Sequence, residues 1–142
     1  MKTASNVKQT ELAWAAGFFD GEGCVHYSWR KPRNPNCTPT LMYGISIGQT
    51  DKRVLTRFMK AVGEGNVTGP FLRKPPRKPV WTYHCVSQRG MTEIHKLLCP
   101  YLSSIKQQQF KKTFSELAKY KKGSKTRMSK AASLRAKRRW NP

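Results

Sequence analysis

Asp20 and Glu22 stand on either side of Gly21, with Gly23 next, at the end of the apolar run Leu12-Ala13-Trp14-Ala15-Ala16-Gly17-Phe18-Phe19. Carboxylates are hard oxygen donors. A pair of them on glycine-flanked backbone suits a divalent cation such as Mg²⁺, which is held by one or two carboxylates plus phosphate oxygens and keeps several waters. Phosphate is the expected co-ligand because of the charge on the rest of the chain. The 142 residues hold 28 Lys and Arg against 7 Asp and Glu, a formal net charge of +21. Such a surplus repels itself until a polyanion neutralises it. An acidic pair in so basic a chain points to a metal held against nucleic acid.

The acids need an element to carry them. Ala13, Ala16 and Gly17 recur at i, i+3 and i+4 of a helix, so a second helix can approach that face closely. If two copies of the helix pack together, two Glu22 carboxylates meet near a symmetry axis. Opposed carboxylates beside a phosphate would hold metal ions that activate water and stabilise the leaving oxygen in phosphodiester hydrolysis.

Thr10 is expected to cap this helix, which runs to about Phe19 and ends in a tight turn at Gly21 and Gly23. Residues 24–31 then switch to period two, Val25, Tyr27 and Trp29 alternating with Cys24, His26, Ser28 and Arg30. A second strand spans 40–48, with Leu41, Tyr43, Ile45 and Ile47 on its apolar side. Asp51 caps a helix whose stripe is Val54, Leu55, Phe58, Met59 and Val62, and Gly63 and Gly65 end it. Strands over 66–72 and 80–87 flank a basic, Pro-rich loop; the inward face of the latter is unassigned, because both its faces are mixed. A helix with Ile94, Leu97 and Leu98 is interrupted by Pro100, and a last helix over 104–120 carries Ile105, Phe110, Phe114 and Leu117.

The order helix, hairpin, helix, hairpin, helix, helix predicts an α+β fold: a four-stranded antiparallel sheet with helices on one face and the other face free. The free face collects Ser28, Arg30, Thr40, Met42, Ser46, Asn66 and Thr68. Its hairpin tips are basic, with Lys31 and Arg33 on one and Arg73, Lys74, Arg77 and Lys78 on the other. A polar sheet with basic tips suits the major groove of double-stranded DNA, and Arg30 is the leading candidate for a bidentate contact to guanine.

Cys24, Cys37, Cys85 and Cys99 form no CxxC pair, and His26, His84 and His95 are scattered, which argues against a zinc finger or a disulfide framework. No apolar run approaches the roughly 20 residues of a membrane span, and the first residues lack a signal-peptide core. The chain is expected inside the cell with the DNA, in a compartment its residues do not distinguish. Residues 1–120 read as one domain. Residues 121–142, with nine Lys or Arg and no acid, read as a basic tail or arm that grips phosphates, chiefly through Arg135, Lys137, Arg138 and Arg139.

Residues 15–23, AAGFFDGEG, resemble the LAGLIDADG motif of homing endonucleases, and the α-ββ-α-ββ-α order over roughly residues 8–120 is similar to that family's core. The resemblance implies that Glu22 takes the metal-binding acidic position, where the family often has Asp, with the Gly21 carbonyl as a further ligand. Asp20 matches the first acid, which shapes the motif turn. Gln49 resembles the family's polar active-site glutamine, and Lys106 the lysine that reaches the water network at the cut phosphate. One motif copy implies a homodimer, joined through the Ala13, Ala16 and Gly17 face, on a long, roughly palindromic target. The implied activity is Mg²⁺-dependent double-strand cleavage, with Mn²⁺ or Ca²⁺ also able to occupy the site. The alternative is a non-cleaving module on the same fold, either an intron RNA maturase or a DNA-binding regulator.

Overall fold

Alternating apolar residues build the sheet, and helices with one apolar stripe cover it. The computed structural model describes residues 4–121. Helix α1 (Ala4–Glu22) leads into β1 (Gly23–Arg30) and β2 (Thr40–Gln49), followed by α2 (Lys52–Val62), β3 (Asn66–Phe71), β4 (Val80–Cys85) and α3 (Gln88–Leu98). A 3₁₀ turn over Cys99–Tyr101, with Pro100 at its start, separates α3 from α4 at residues 104–121. The four strands form one antiparallel sheet in the order β1-β2-β4-β3. The expected α+β architecture is the one observed.

Leu41, Ile45 and Ile47 of β2 point into the core, and Tyr83 and Cys85 of β4 join them. Pairing settles the face of β4: Ile45 lies opposite Cys85 and Ile47 opposite Tyr83, so Thr82 and His84 take the other side. Ser87 leaves the strand and becomes the N-cap of α3, accepting from the Gly90 amide. Asp51 caps α2 through the Arg53 amide, and Gly63 ends it in the left-handed conformation at φ 74°, where a side chain would be strained. Leu55, Phe58 and Val62 are the buried part of the α2 stripe.

Phe19 is the hub beneath the motif. Its ring lies 6.0 Å from Phe58 of α2 and 5.8 Å from Phe110 of α4, and Phe58 meets Tyr83 edge-on at 4.9 Å. All four side chains are fully buried, and truncating one such ring costs about 3–5 kcal/mol. Tyr83 keeps its hydroxyl satisfied by donating to the Glu64 carbonyl at 2.8 Å, and burial pushes its phenol far above the ordinary tyrosine range. The last turn of α1 is thereby pinned from α2 and α4 together.

Three expectations need correction. Thr10 does not start a helix; it lies inside α1, which begins before it, and Glu11 pairs with Arg57 across to α2 at 2.8 Å. Gly21 and Gly23 make no turn, since α1 continues through Glu22 and β1 starts at the next residue. Gly23 is needed for a different reason: a Cβ there would come within 2.2 Å of the Phe19 ring. Ile105 does not pack inward but is 67% exposed at the start of α4.

Candidate active site

The end of α1 is tied to α4 on either side of Glu22. The Asp20 carboxylate accepts from the Ser103 amide at 3.0 Å and the Ser103 hydroxyl at 2.9 Å. Asp20 thus caps a backbone amide, the role its residue type suggests when taken alone, and from the last helical turn it holds the segment that starts α4. Lys106, one turn into α4, donates its ammonium to the Gly23 carbonyl and also reaches Gln109 at 3.4 Å. The same ammonium lies 5.5 Å from the centroid of the Phe19 ring. A cation is therefore held at the helix-to-strand junction immediately after Glu22.

Glu22 itself is exposed and makes no hydrogen bond or ion pair with any described residue. Five of the other six acids are engaged, Glu11 with Arg57, Asp20 with Ser103, Asp51 with Arg53, Glu93 with Lys96, and Glu116 with Trp29 and Lys119, while the half-buried Glu64 shares with Glu22 the lack of a side-chain partner among the described residues. Hydrogen bonds from their partners hold the Glu11, Asp51 and Glu116 carboxyls below the usual carboxylate range. Leaving a carboxylate uncompensated at the end of α1, where the helix dipole already disfavours an anion, makes sense if a cation joins it. The exposed carboxylate and the unpaired carbonyls of the last helical turn form a hard oxygen donor set. Among the described residues no three His, Cys, Asp or Glu cluster as a metal site.

Gln49 lies at the same end of the sheet. Gly23 pairs with Ile47 where the β1–β2 ladder begins, and Gln49 lies two residues beyond Ile47 at the end of β2. It shares the helix-facing parity of Ile45 and Ile47, is half-buried, and pairs with Trp81 of β4. Glu22 and Lys106 thus flank Gly23, from a helix end and a second helix, and Gln49 ends the neighbouring strand at that end of the sheet.

The exposed stripe of α1 is Ala13, Gly17 and Gly21. Ala16, expected on this stripe, is instead fully buried, because its direction points into the core beside Leu12 and Phe19. A Cβ on Gly17 or Gly21 would meet nothing within 4 Å, so nothing among the described residues requires glycine at either position.

The free face of the sheet carries cross-strand rows. Arg30 pairs with Thr40 and Ser28 with Met42. Cys24, Ser46, His84 and Asn66 form one row across all four strands, and Thr82 and Thr68 are paired beside it. Ser28, Arg30, Thr40, Met42, Ser46, Asn66 and Thr68 therefore share the face expected of them. His26, Thr82 and His84 share it too. His26 was legible from its alternation with Ser28 and Arg30, whereas Thr82 and His84 needed the pairing of β4. The two basic loops lie at opposite ends of the sheet, since β4 begins where β2 ends. Lys31 and Arg33 are exposed on one, and Lys74, Arg77 and Lys78 on the other. Arg73 is partly spent bracing its own loop, donating twice to the Lys78 carbonyl at 2.8 and 3.0 Å. Arg135, Lys137, Arg138 and Arg139 lie outside the described residues, and no helix among those described is long and apolar enough to cross a membrane.

A four-stranded antiparallel sheet with one face free and helices on the other defines an α+β fold. Comparison with solved structures identifies it: the chain has the fold of the LAGLIDADG homing endonucleases. The homing endonuclease I-CvuI, solved with I-CreI target DNA in the presence of Mg and with the DNA uncleaved, superposes with a TM-score of 0.61 at 23% identity, over 74% of this chain and 64% of that one. I-TnaI gives 0.61 at 21% identity over 79% and 74%, and the group I intron-encoded I-CeuI, complexed with DNA, gives 0.63 at 11% identity over 82% and 58%. The chain thus spans less than two thirds of I-CvuI and I-CeuI. No protein-family model matches the sequence, and no curated protein aligns with it.

Proposed function

We propose that the protein is a homodimeric, divalent-metal-dependent endonuclease that makes a double-strand cut in a long DNA target. The observation that carries this reading is Glu22, an exposed carboxylate without a partner beside the Lys106 cation and at the edge of a free polar sheet. Glu22 and the Gly21 carbonyl would hold Mg²⁺, a hard cation suited to these oxygens. When bound, the ion supplies Lewis-acid stabilisation of charge at phosphate and lowers the pKa of water. Lys106 would neutralise charge developing at the scissile phosphate, and Gln49 would orient water at the same end of the sheet.

One protomer supplies one such carboxylate, and the stripe of Ala13, Gly17 and Gly21 gives a second protomer a surface without side chains to clash. I-AabMI, a LAGLIDADG meganuclease solved on uncleaved DNA, aligns over 87% of this chain but 42% of its own length, leaving room there for a second unit in the same chain. A symmetric pair reads a roughly palindromic site. The ten residues of β2 span about 33 Å at about 3.3 Å each, about ten base pairs at 3.4 Å per step, so two protomers would read roughly twenty. Ser28, Arg30, Thr40, Met42, Ser46, Asn66 and Thr68, joined by His26, Thr82 and His84, would contact base edges, and the loop and tail cations would contact phosphates. The helix α4 ends beside β1, with Trp29 bonded to Glu116 at 3.1 Å and packed on Tyr120. A tail starting there would reach phosphates at the outer end of the site.

The test is incubation with a randomised duplex library, with and without Mg²⁺, followed by sequencing of cut ends. Cleavage that needs the metal, and that Glu22→Gln abolishes while the duplex is still bound, is the expected result. Binding without cutting in Mg²⁺ or Mn²⁺ would replace this reading with the non-cleaving one, a DNA-binding regulator or intron RNA maturase.

A further inference from the structure

The helical side of the molecule, away from the free sheet face, carries a second basic surface. A groove of about 700 Å³ runs between α1 and α2, lined by Lys8, Glu11, Lys52, Arg53, Thr56, Arg57, Lys60 and Ala61. Its one acid is already matched: Glu11 holds Arg57 through two bonds of 2.8 and 3.1 Å, and Arg57 lies 3.7 Å above the Trp14 ring. Arg53 is likewise bonded to Asp51. Lys8, Lys52 and Lys60 make no ion pair with a described residue, although Lys52 sits 4.8 Å from the Trp81 ring. The groove thus keeps three unmatched charges after its acids are counted.

Geometry makes the charge directional. Lys52, Thr56 and Lys60 recur at i, i+4 and i+8, one row about 12 Å long along α2, and Lys8 flanks it from α1. The phosphates of one strand recur at a regular spacing, so the ammoniums at the two ends of this row can meet different phosphates of the same strand. The floor is the Ala61 methyl and the stems of the long side chains, with the Thr56 hydroxyl half-buried between them. A duplex on the free face of the sheet cannot reach this groove, because α1 and α2 lie between.

We propose that the groove between α1 and α2 is a second nucleic-acid site, which holds the sugar-phosphate backbone of a strand other than the duplex on the sheet. The ligand chemistry is a run of phosphates along one strand, which RNA and single-stranded DNA share. This assignment rests on the proposed function only in taking the sheet as the duplex face.

The experiment uses the full chain bound to a labelled duplex carrying its selected site. A structured RNA, a single-stranded DNA and a second duplex are titrated in turn, for wild type and for the triple variant K8A/K52A/K60A, with duplex cutting measured in parallel. A ternary complex with RNA or single-stranded DNA is expected, and the arm that binds more tightly names the source. The triple variant should weaken that complex by at least about tenfold and flatten its log–log salt slope by about 2, at roughly 0.7 per lost single-strand contact, while the first duplex is bound and cut as before. Displacement of the first duplex would put the second ligand on the sheet and overturn the proposal, as would an unchanged salt slope in the variant or a groove that takes up only a second duplex. Loss of cutting in wild type alone would count against the endonuclease reading and leave the groove's result standing.

Discussion

Gly17→Leu should make the isolated chain more stable and the assembled protein weaker. Glycine in the middle of a helix is about 1 kcal/mol less favourable than a good helix former. A Cβ at Gly17 meets nothing within 4 Å, so no clash inside the chain offsets that gain. For a domain of this size 1 kcal/mol corresponds to a rise in Tm of about 4 °C. Across a two-fold axis the same side chain enters the seam twice. Overpacking costs about 1–3 kcal/mol per site, hence about 2–6 kcal/mol per dimer, a weakening of self-association between about thirtyfold and about twenty-thousandfold. Sedimentation equilibrium over a dilution series measures the second effect, and circular-dichroism melts at concentrations where the variant is monomeric measure the first. A variant that dimerises as tightly as wild type refutes the interface. One that melts lower as a monomer refutes the claim that the space around Gly17 is open.

Lys106→Met keeps the aliphatic stem over Phe19 and removes the ammonium; cleavage should fall by about a hundredfold or more, with partial recovery in Lys106→Arg and about 1 kcal/mol of stability lost with the Gly23 bond. Unchanged cutting rates in a gel assay would leave Lys106 a purely structural tie between α1 and α4. His95, half-buried with its ring 5.0 Å from Phe110 and 5.6 Å from Phe114, is held below its ordinary pKa by burial. Because folding favours its neutral form, the fold should lose stability as pH falls through 6.5 and the unfolded chain takes up the proton first. Denaturant unfolding should show that loss, and His95→Phe should remove it; equal pH slopes in both proteins would mean another group is responsible.

The parts of the fold legible in the residues were those governed by one period at a time. The alternation of β1 and β2, the Asp51 cap, the α2 stripe and the stop at Gly63 are local, and the structure has them where the pattern predicts. What escaped was decided by contacts between elements. The face of β4 depends on Ile45 meeting Cys85, which no mixed sequence of residues 80–87 announces. The glycines after Asp20 read as turn formers, yet Gly23 is required by the Phe19 ring from four residues earlier, and Gly21 is carried along inside the helix. Ala13 and Gly17 face outward while Ala16 faces the core, a division that small-residue spacing alone leaves open. In the candidate site, the acidic pair was visible, and so was a capping Asp20 set apart from Glu22, but the partner of Asp20 was not: it is Ser103, 83 positions away.

The separate roles of Asp20 and Glu22 bear on how assembly and chemistry are coupled. Helix α1 uses three sectors at once. Leu12, Ala15, Ala16 and Phe19 fill the core, Ala13, Gly17 and Gly21 are bare and outward, and Glu22 ends the helix in solvent. The core sector fixes the helix against α2 and α4 through Phe58 and Phe110, and Asp20 and Lys106 fasten its last turn from the α4 side. The backbone that carries Glu22 is therefore fixed, and what it can share a cation with is whatever meets the bare sector. If that is a second copy, its own Glu22 arrives on the same fixed backbone, with no backbone rearrangement left to make before metal and phosphate bind. The carboxylates are then apart in the free chain, where their mutual repulsion would cost stability, and adjacent in the dimer on DNA, where metal ions offset it. A nuclease organised this way would be inert as a monomer without any inhibitory segment.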